Sequence, residues 1–281
     1  MPAGGSSSRT AFSSASSNVA ETLTADGSLR RCMCRACDAV SLHVFYWRLK
    51  MAHQDRARFE LVADCEMQAL FSASPDTAAF HRGEWIDREY YRRHLVETVL
   101  RIRLNNEVDA FALYKIGFKD NQLAQILAQY LAEEYGHEGL FLRDIEKFGL
   151  TAEQIDTIEP LHSTRKLINY LYLSIERDGP LPTMAWNWFV EWYSGRYNKT
   201  ITEAAGRAFG HHTVKGSLGH IQYDESHDHD DLMWGAVQRA IEGWGGIDKA
   251  EMHLRNFIGL VGDYFDELKA ETGRQSDVVV A

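Results

Sequence analysis

Proline is scarce in this chain: Pro2, Pro75, Pro160, Pro180 and Pro182 are the only five in 281 residues, and none falls inside a stretch with helical periodicity. Because proline breaks helix interiors, this placement leaves long helices unobstructed. Cysteine is equally sparse, and four in this length exclude a disulfide framework. Three of them form Cys32-Met33-Cys34-Arg35-Ala36-Cys37, which has neither paired C-x2-C units nor an evident fourth ligand, so it reads as incidental rather than as a zinc site. Long apolar runs are missing too; no window approaches the roughly 18 uninterrupted apolar residues that a membrane helix requires. The N-terminus lacks a charged-then-apolar leader pattern, and a cytoplasmic protein is expected. There is no surplus of basic residues. With 30 Lys and Arg against 40 Asp and Glu, the net charge of −10 disfavours a nucleic acid or an anionic membrane as partner.

What is present begins with a Ser-, Ala- and Gly-rich stretch with almost no large apolar residues to offset the entropy of ordering. Residues 1–50 are expected to be a disordered tail outside the fold, with Met51 as an alternative start of the native chain. Residues 51–275 are expected to form one all-α domain, a bundle of seven to nine helices. The periodicity predicts helices over about 54–73, 84–117, 121–147, 160–177, 182–196, 216–243 and 247–272. Gly149 closes one of them, and Thr151-x-x-Gln154 and Thr200-x-x-Glu203 read as capping boxes that open two others. Strand-like alternation is absent except for the marginal tail Val278-Val279-Val280.

The chemistry concentrates in "GSLGHIQYDESHDHDDLMW", residues 216–234. On one helix His220, Asp224 and His227 stand at i, i+4 and i+7, within an arc of roughly 60°. Helix-capping preferences account for acidic residues there, but give no reason for two His on the face of the carboxylate. Glu134-Tyr135-Gly136-His137 supplies an E-x-x-H, the pattern by which helical bundles carry carboxylate-bridged metal pairs. On the preceding helix Glu97 interrupts an apolar stripe, and Glu107 competes with it for the same role. A buried carboxylate needs a cation nearby. Glu191 lies within the aromatic run Trp186 to Tyr193, either as a further ligand or on an exposed face of that helix. The run itself, with Tyr170 and Tyr172, is pocket wall or plain core. Arg101 and Arg103 flank the Glu97 stripe as partners for a substrate carboxylate or as surface salt bridges.

These motifs resemble the haem-oxygenase-like di-iron oxidases and oxygenases, helical relatives of thiaminase II and pyrroloquinoline quinone synthase. The resemblance spans about residues 80–270. It implies two Fe(II) ions held by Glu97, Glu134, His137, His220, Asp224 and His227, with Glu133 as an alternative to Glu134. It also implies O2 as co-substrate, and oxygenation of nitrogen or cleavage of a carbon–carbon bond in a small amine, amino acid or fatty acid during specialised metabolism. Relatives are often dimers, so the resemblance admits a homodimer. Three rivals are weaker. A ferritin-like protein needs a second E-x-x-H, and Glu159-Pro160-Leu161-His162 is a poor one. A metallo-hydrolase loop, His227-x-His229-x-Asp231, belongs on a strand-bearing fold. A metal-free enzyme of the same fold, hydrolase or cofactorless oxidase, leaves His220, Asp224 and His227 unexplained.

Overall fold

The computed structural model describes the backbone of residues 35–227 and 229–276, and the side chains of residues 54–224 and 229–273. The chain divides into two units, residues 1–48 and 49–281; of the first, the described part is helical backbone from Arg35 onward. The low-complexity tail, Cys32, Cys34, the side chain of Cys37 and the tail valines lie outside the described residues, and so does the side chain of His227.

All described secondary structure is helical. In order the helices are α1 (Arg35–Ala73), α2 (Pro75–His81), α3 (Arg88–Ile116), α4 (Asn121–Glu134), α5 (Glu138–Lys147), α6 (Ala152–Ile155), α7 (His162–Asp178) and α8 (Leu181–Tyr193). They continue with α9 (Lys199–Phe209), α10 (Lys215–His227), α11 (His229–Trp244) and α12 (Gly246–Ser276). Prolines stand where their missing N–H does no harm: Pro75 opens α2, and Pro180 and Pro182 sit at the start of α8. Asp87 and Asp120 cap α3 and α4 through their carboxylates, and Thr151 with Gln154 forms the expected capping box.

α8 is the centre. Its sequence LPTMAWNWFVEWY is apolar on every side, the signature of a helix surrounded by others. It packs against α7, α11 and α12, while α3 packs against α4, α5, α7 and α12. Trp188 and Trp192 are buried in the core with Phe59 and Trp234 around them, whereas Trp186, Phe189 and Tyr193 line a cavity. The aromatic run therefore serves as both core and wall, on different faces of one helix.

Two local expectations are corrected. The helix expected over 121–147 is broken at Tyr135–His137, because Gly136 adopts φ 96°, a conformation open mainly to glycine. The helix expected over 216–243 corresponds to α10 and α11, with residue 228 outside the described residues. Thr200 opens no helix: α8 continues through a π-helical turn, Ser194–Asn198, directly into α9, so there is no free N-terminus for it to cap.

Candidate metal centre

Four helices and the break between α4 and α5 bring the donors together. Glu134 ends α4, and His137 follows the Gly136 turn with Nδ1 3.2 Å from Glu134 Oε2. The E-x-x-H therefore works across a helix break rather than within one helical turn. His220 comes from α10, its ring 4.8 Å from that of His137 at 77°, edge against face. Asp224, one turn on, lies 2.9 Å from His220 Nδ1.

α10 is fastened to α5 by a buried joint. Asp144 accepts from the Gly216 and Ser217 amides at 2.8 and 2.7 Å and from the Ser217 hydroxyl at 2.8 Å, so an α5 carboxylate caps the first turn of α10. A Cβ at residue 216 would fall 1.9 Å from the Leu140 carbonyl oxygen. Glycine there is what lets the two backbones meet.

Two donor groups result among the described residues: Glu134, His137 and His220 in one, Glu134, Glu191 and His229 in the other, the atoms of each group within 4.8 Å of one another. Glu134 belongs to both. Asp224 stands between them, with Oδ1 3.9 Å from His229 Nδ1. Glu191 is buried rather than on an exposed face, and Tyr130 donates to its Oε1 at 2.8 Å. Glu133 is not in either group; its Oε2 lies 3.0 Å from His229 Nε2, where a carboxylate fixes the ring's orientation.

The electrostatics mark a site short of positive charge. Burial first, then the charges of Asp224 and Glu134, push the Glu191 carboxyl well above the usual carboxylate range, with the Tyr130 hydroxyl opposing. The hydrogen bond to Glu134 raises His137. Among the described residues Glu134 Oε1 and both Asp224 oxygens are buried without a hydrogen bond of good geometry, the 2.9 Å approach of His220 Nδ1 to Asp224 Oδ2 included. Orphaned carboxylate oxygens beside three imidazoles are what a divalent transition ion satisfies, and a mixed O/N donor set suits iron.

Glu97 does not join this cluster. It is fully buried, but it accepts from the Leu161 amide at 3.0 Å and the Thr164 hydroxyl, and pairs with Arg93 at 2.9 Å. Glu107 is exposed. The reason is rotational: the cavity face of α3 carries His94, Thr98, Arg101 and Asn105, from which Glu97 is turned by about 70° and Glu107 by about 150°. The carboxylate that α3 does bring toward the cluster is Asp109, held by Asn187 at 2.9 Å and Asn105 at 3.3 Å.

Burial, followed at a distance by the Glu134 charge, raises Asp109 to about 8. A carboxyl raised in the folded state binds its proton more tightly there than in the unfolded chain, so it costs stability as pH climbs from about 4 to about 8. Asp109→Asn is therefore expected to flatten the decline in stability of the iron-free protein over this range, by up to about 1.4 kcal/mol per pH unit, and to leave the variant more stable than wild type above it. Thermal unfolding from pH 5 to 9 checks this; equal slopes in both proteins would remove Asp109 as the cause.

His229 entered only as part of the rival His227-x-His229-x-Asp231 loop, because on one continuous helix it would stand about 180° from His220. Glu191 had a signal: it is the single charged residue of α8.

The helical arrangement and this carboxylate–imidazole cluster define the class, an all-α protein with a haem-oxygenase-like fold. The structure is similar to a domain of unknown function with that fold from Shewanella denitrificans OS217, with a TM-score of 0.67 and 19% identity over 76% of this chain and 92% of the other. It is also similar to a TenA homologue from Pseudomonas syringae pv. tomato str. DC3000, at TM-score 0.55 and 14% identity over 74% and 93%. No curated protein matches. Residues 102–243, half of the chain, match the family of iron-containing redox enzymes, and the chain belongs to that family.

Proposed function

We propose that the cluster holds two ferrous ions, and that the protein is a non-haem di-iron, O2-dependent oxidase or oxygenase acting on a small molecule. The observation that carries this reading is the position of Glu134, shared between two donor groups that each add further ligands. The family of iron-containing redox enzymes supports it. The ligands would be Glu134, His137 and His220 on one side, Glu134, Glu191 and His229 on the other, and Asp224 between. This set keeps Glu134, His137, His220 and Asp224 of the sequence expectation, replaces Glu97 by Glu191 and adds His229, while the side chain of the expected His227 lies outside the described residues.

A bound pair of ferrous ions supplies two electrons for reaction with O2. The chain's own part is to bind, aim and exclude water. Tyr130 holds Glu191 by one oxygen, and Glu133 holds His229 by the nitrogen remote from the cluster, so both donors arrive pre-oriented. A cavity of about 170 Å3 opens beside Glu134, Glu191, His220 and Asp224. Its walls are mostly apolar, with Phe141, Trp186, Phe189, Val261 and Phe265 among them, which keeps bulk water from the reacting end. The expected chemistry is oxygenation of nitrogen or oxidative carbon–carbon cleavage.

The test is anaerobic titration of the metal-free protein with Fe(II), followed by mixing with O2. About two equivalents of iron and an oxygen-dependent transient absorption are expected. His220→Ala and Asp224→Ala should abolish O2-dependent turnover while circular dichroism stays helical. A protein that binds no iron under these conditions fails the reading, and a metal-free enzyme of the same fold takes its place.

A further inference from the structure

The cavity has two chemically different ends. One holds Glu134, Glu191, His220 and Asp224; the other is built on the stripe His94, Thr98 and Arg101 of α3, closed by Tyr193 and Phe265. Arg101 is the only Arg or Lys among the residues that line it. Its neighbours on α3 are neutralised: Arg92 by Glu89, Arg93 by Glu97 and Glu271, Arg103 by Asp156. Arg101 has no carboxylate partner among the described residues. Its guanidinium rests over the Tyr264 ring at 4.5 Å and lies 3.4 Å from the Thr98 hydroxyl. An aromatic face and a hydroxyl hold the group in place without cancelling its charge, leaving the guanidinium edge for an anion.

His94 adds no competing charge. Burial first, then the nearby Arg101 and His81, keep its imidazole neutral, and its Nδ1 is 2.8 Å from the Tyr264 hydroxyl. Along α3, Arg101 precedes Asp109 by two turns, on the order of 12 Å, and it leans further away, toward Thr98. The anion-binding end is thus separated from the donor cluster by a length of apolar wall that includes Ile102, Trp186 and Phe189.

We propose that the substrate is a monocarboxylic acid with a mainly apolar body, held by its carboxylate on Arg101 so that the opposite end of the molecule reaches the donor cluster. Arg101 is a substrate-positioning residue, and it selects acids over amines and alcohols of the same length. The proposal rests on the di-iron reading in one respect: two divalent ions more than neutralise Glu134, Glu191 and Asp224, so that end offers nothing to an ammonium group. The carboxylate is then drawn to Arg101, the one Arg or Lys lining the cavity and one without a carboxylate partner among the described residues, and the apolar remainder fills the wall between.

The experiment uses the full chain, iron-free and Fe(II)-loaded under argon, with octanoate, octylamine and octanol as probes. Binding is read by ligand-observed NMR and by fluorescence of Trp186 and its neighbours. Iron-free protein is expected to bind octanoate and not octanol, and Fe(II)-loaded protein to bind octanoate and neither of the others. Arg101→Met should weaken octanoate at least about tenfold, and Arg101→Lys, which keeps the charge but loses the fork, should retain part of it. In the Fe(II)-loaded wild type, paramagnetic broadening should be greatest at the terminal methyl and least beside the carboxylate. That profile needs no variant, so it stands even if Arg101→Met folds poorly. Broadening greatest beside the carboxylate, octylamine bound as tightly as octanoate by the Fe(II)-loaded protein, or octanoate affinity unchanged in folded Arg101→Met would each overturn the proposal. Because the first arm uses iron-free protein, octanoate held by Arg101 in a chain that takes up no iron would keep this inference and dismiss the di-iron one.

Discussion

Glu134→Ala is expected to bring iron binding from about two equivalents to about none, whereas His137→Ala and His229→Ala should each leave about one. The difference follows from where the side chains stand. His137 and His229 each serve one donor group, and Glu134 serves both. Removing an imidazole leaves the other group with its carboxylate and its own His. Removing Glu134 takes a ligand from each group at once and leaves Glu191 and Asp224 facing each other, with no shared carboxylate to pull two cations together. Metal analysis after anaerobic loading and desalting reads the outcome directly. Two equivalents retained by Glu134→Ala would mean that the ions do not share this residue, and the site would have to be rebuilt from Glu191 and Asp224.

Glu97→Ala should behave in the opposite way, keeping its iron while losing stability. Its carboxylate is fully buried and ties α3 to the start of α7 through the Leu161 amide and the Thr164 hydroxyl, with Arg93 as counter-charge. Truncation leaves the Leu161 amide and the Thr164 hydroxyl without their acceptor, and leaves Arg93, 12% exposed, with Glu271 as its one carboxylate partner among the described residues. Losing one partner of such a pair costs about 3–5 kcal/mol. For a domain of this size that lowers the melting temperature by about 10 °C or more. Calorimetry beside metal analysis separates the two effects. A variant of normal stability that has lost iron would return Glu97 to the ligand set and contradict the geometry of α3.

Glu97 also shows where sequence reading stops. Its place on an apolar stripe correctly indicates burial, and a buried carboxylate does require a positive partner. The partner is an arginine one turn away rather than a metal, and spacing along one helix cannot distinguish those two cations. The error in face has the same origin: α3 turns polar residues, His94, Thr98 and Asn105, toward the cavity, so the apolar stripe marks the wrong side. The all-α fold, the capping residues of α6 and the grouping of Glu134, His137, His220 and Asp224 were legible because helical periodicity is local. His229 was not, since nine residues after His220 it would point about 180° away on one continuous helix, and its direction toward Glu134 depends on tertiary packing. Glu191 was half legible: a lone charge in α8 is unusual, but its direction depends on which helices surround it.

The π-helical turn at Ser194–Asn198 has a bearing on how such a site can be altered over time. A π turn amounts to one residue more than an α-helix needs, taken up without breaking the rod. Deleting any one residue from it would restore ordinary helix and rotate α8 against α9 by about 100°. Glu191, three residues before the turn, could not keep its direction toward Glu134 while α9 kept its packing on the other side. Point substitutions in the cavity wall can therefore change what the protein accepts, but a single-codon deletion here would dismantle the second donor group without touching any of its residues. In this stretch the length of the chain is itself part of the ligand set.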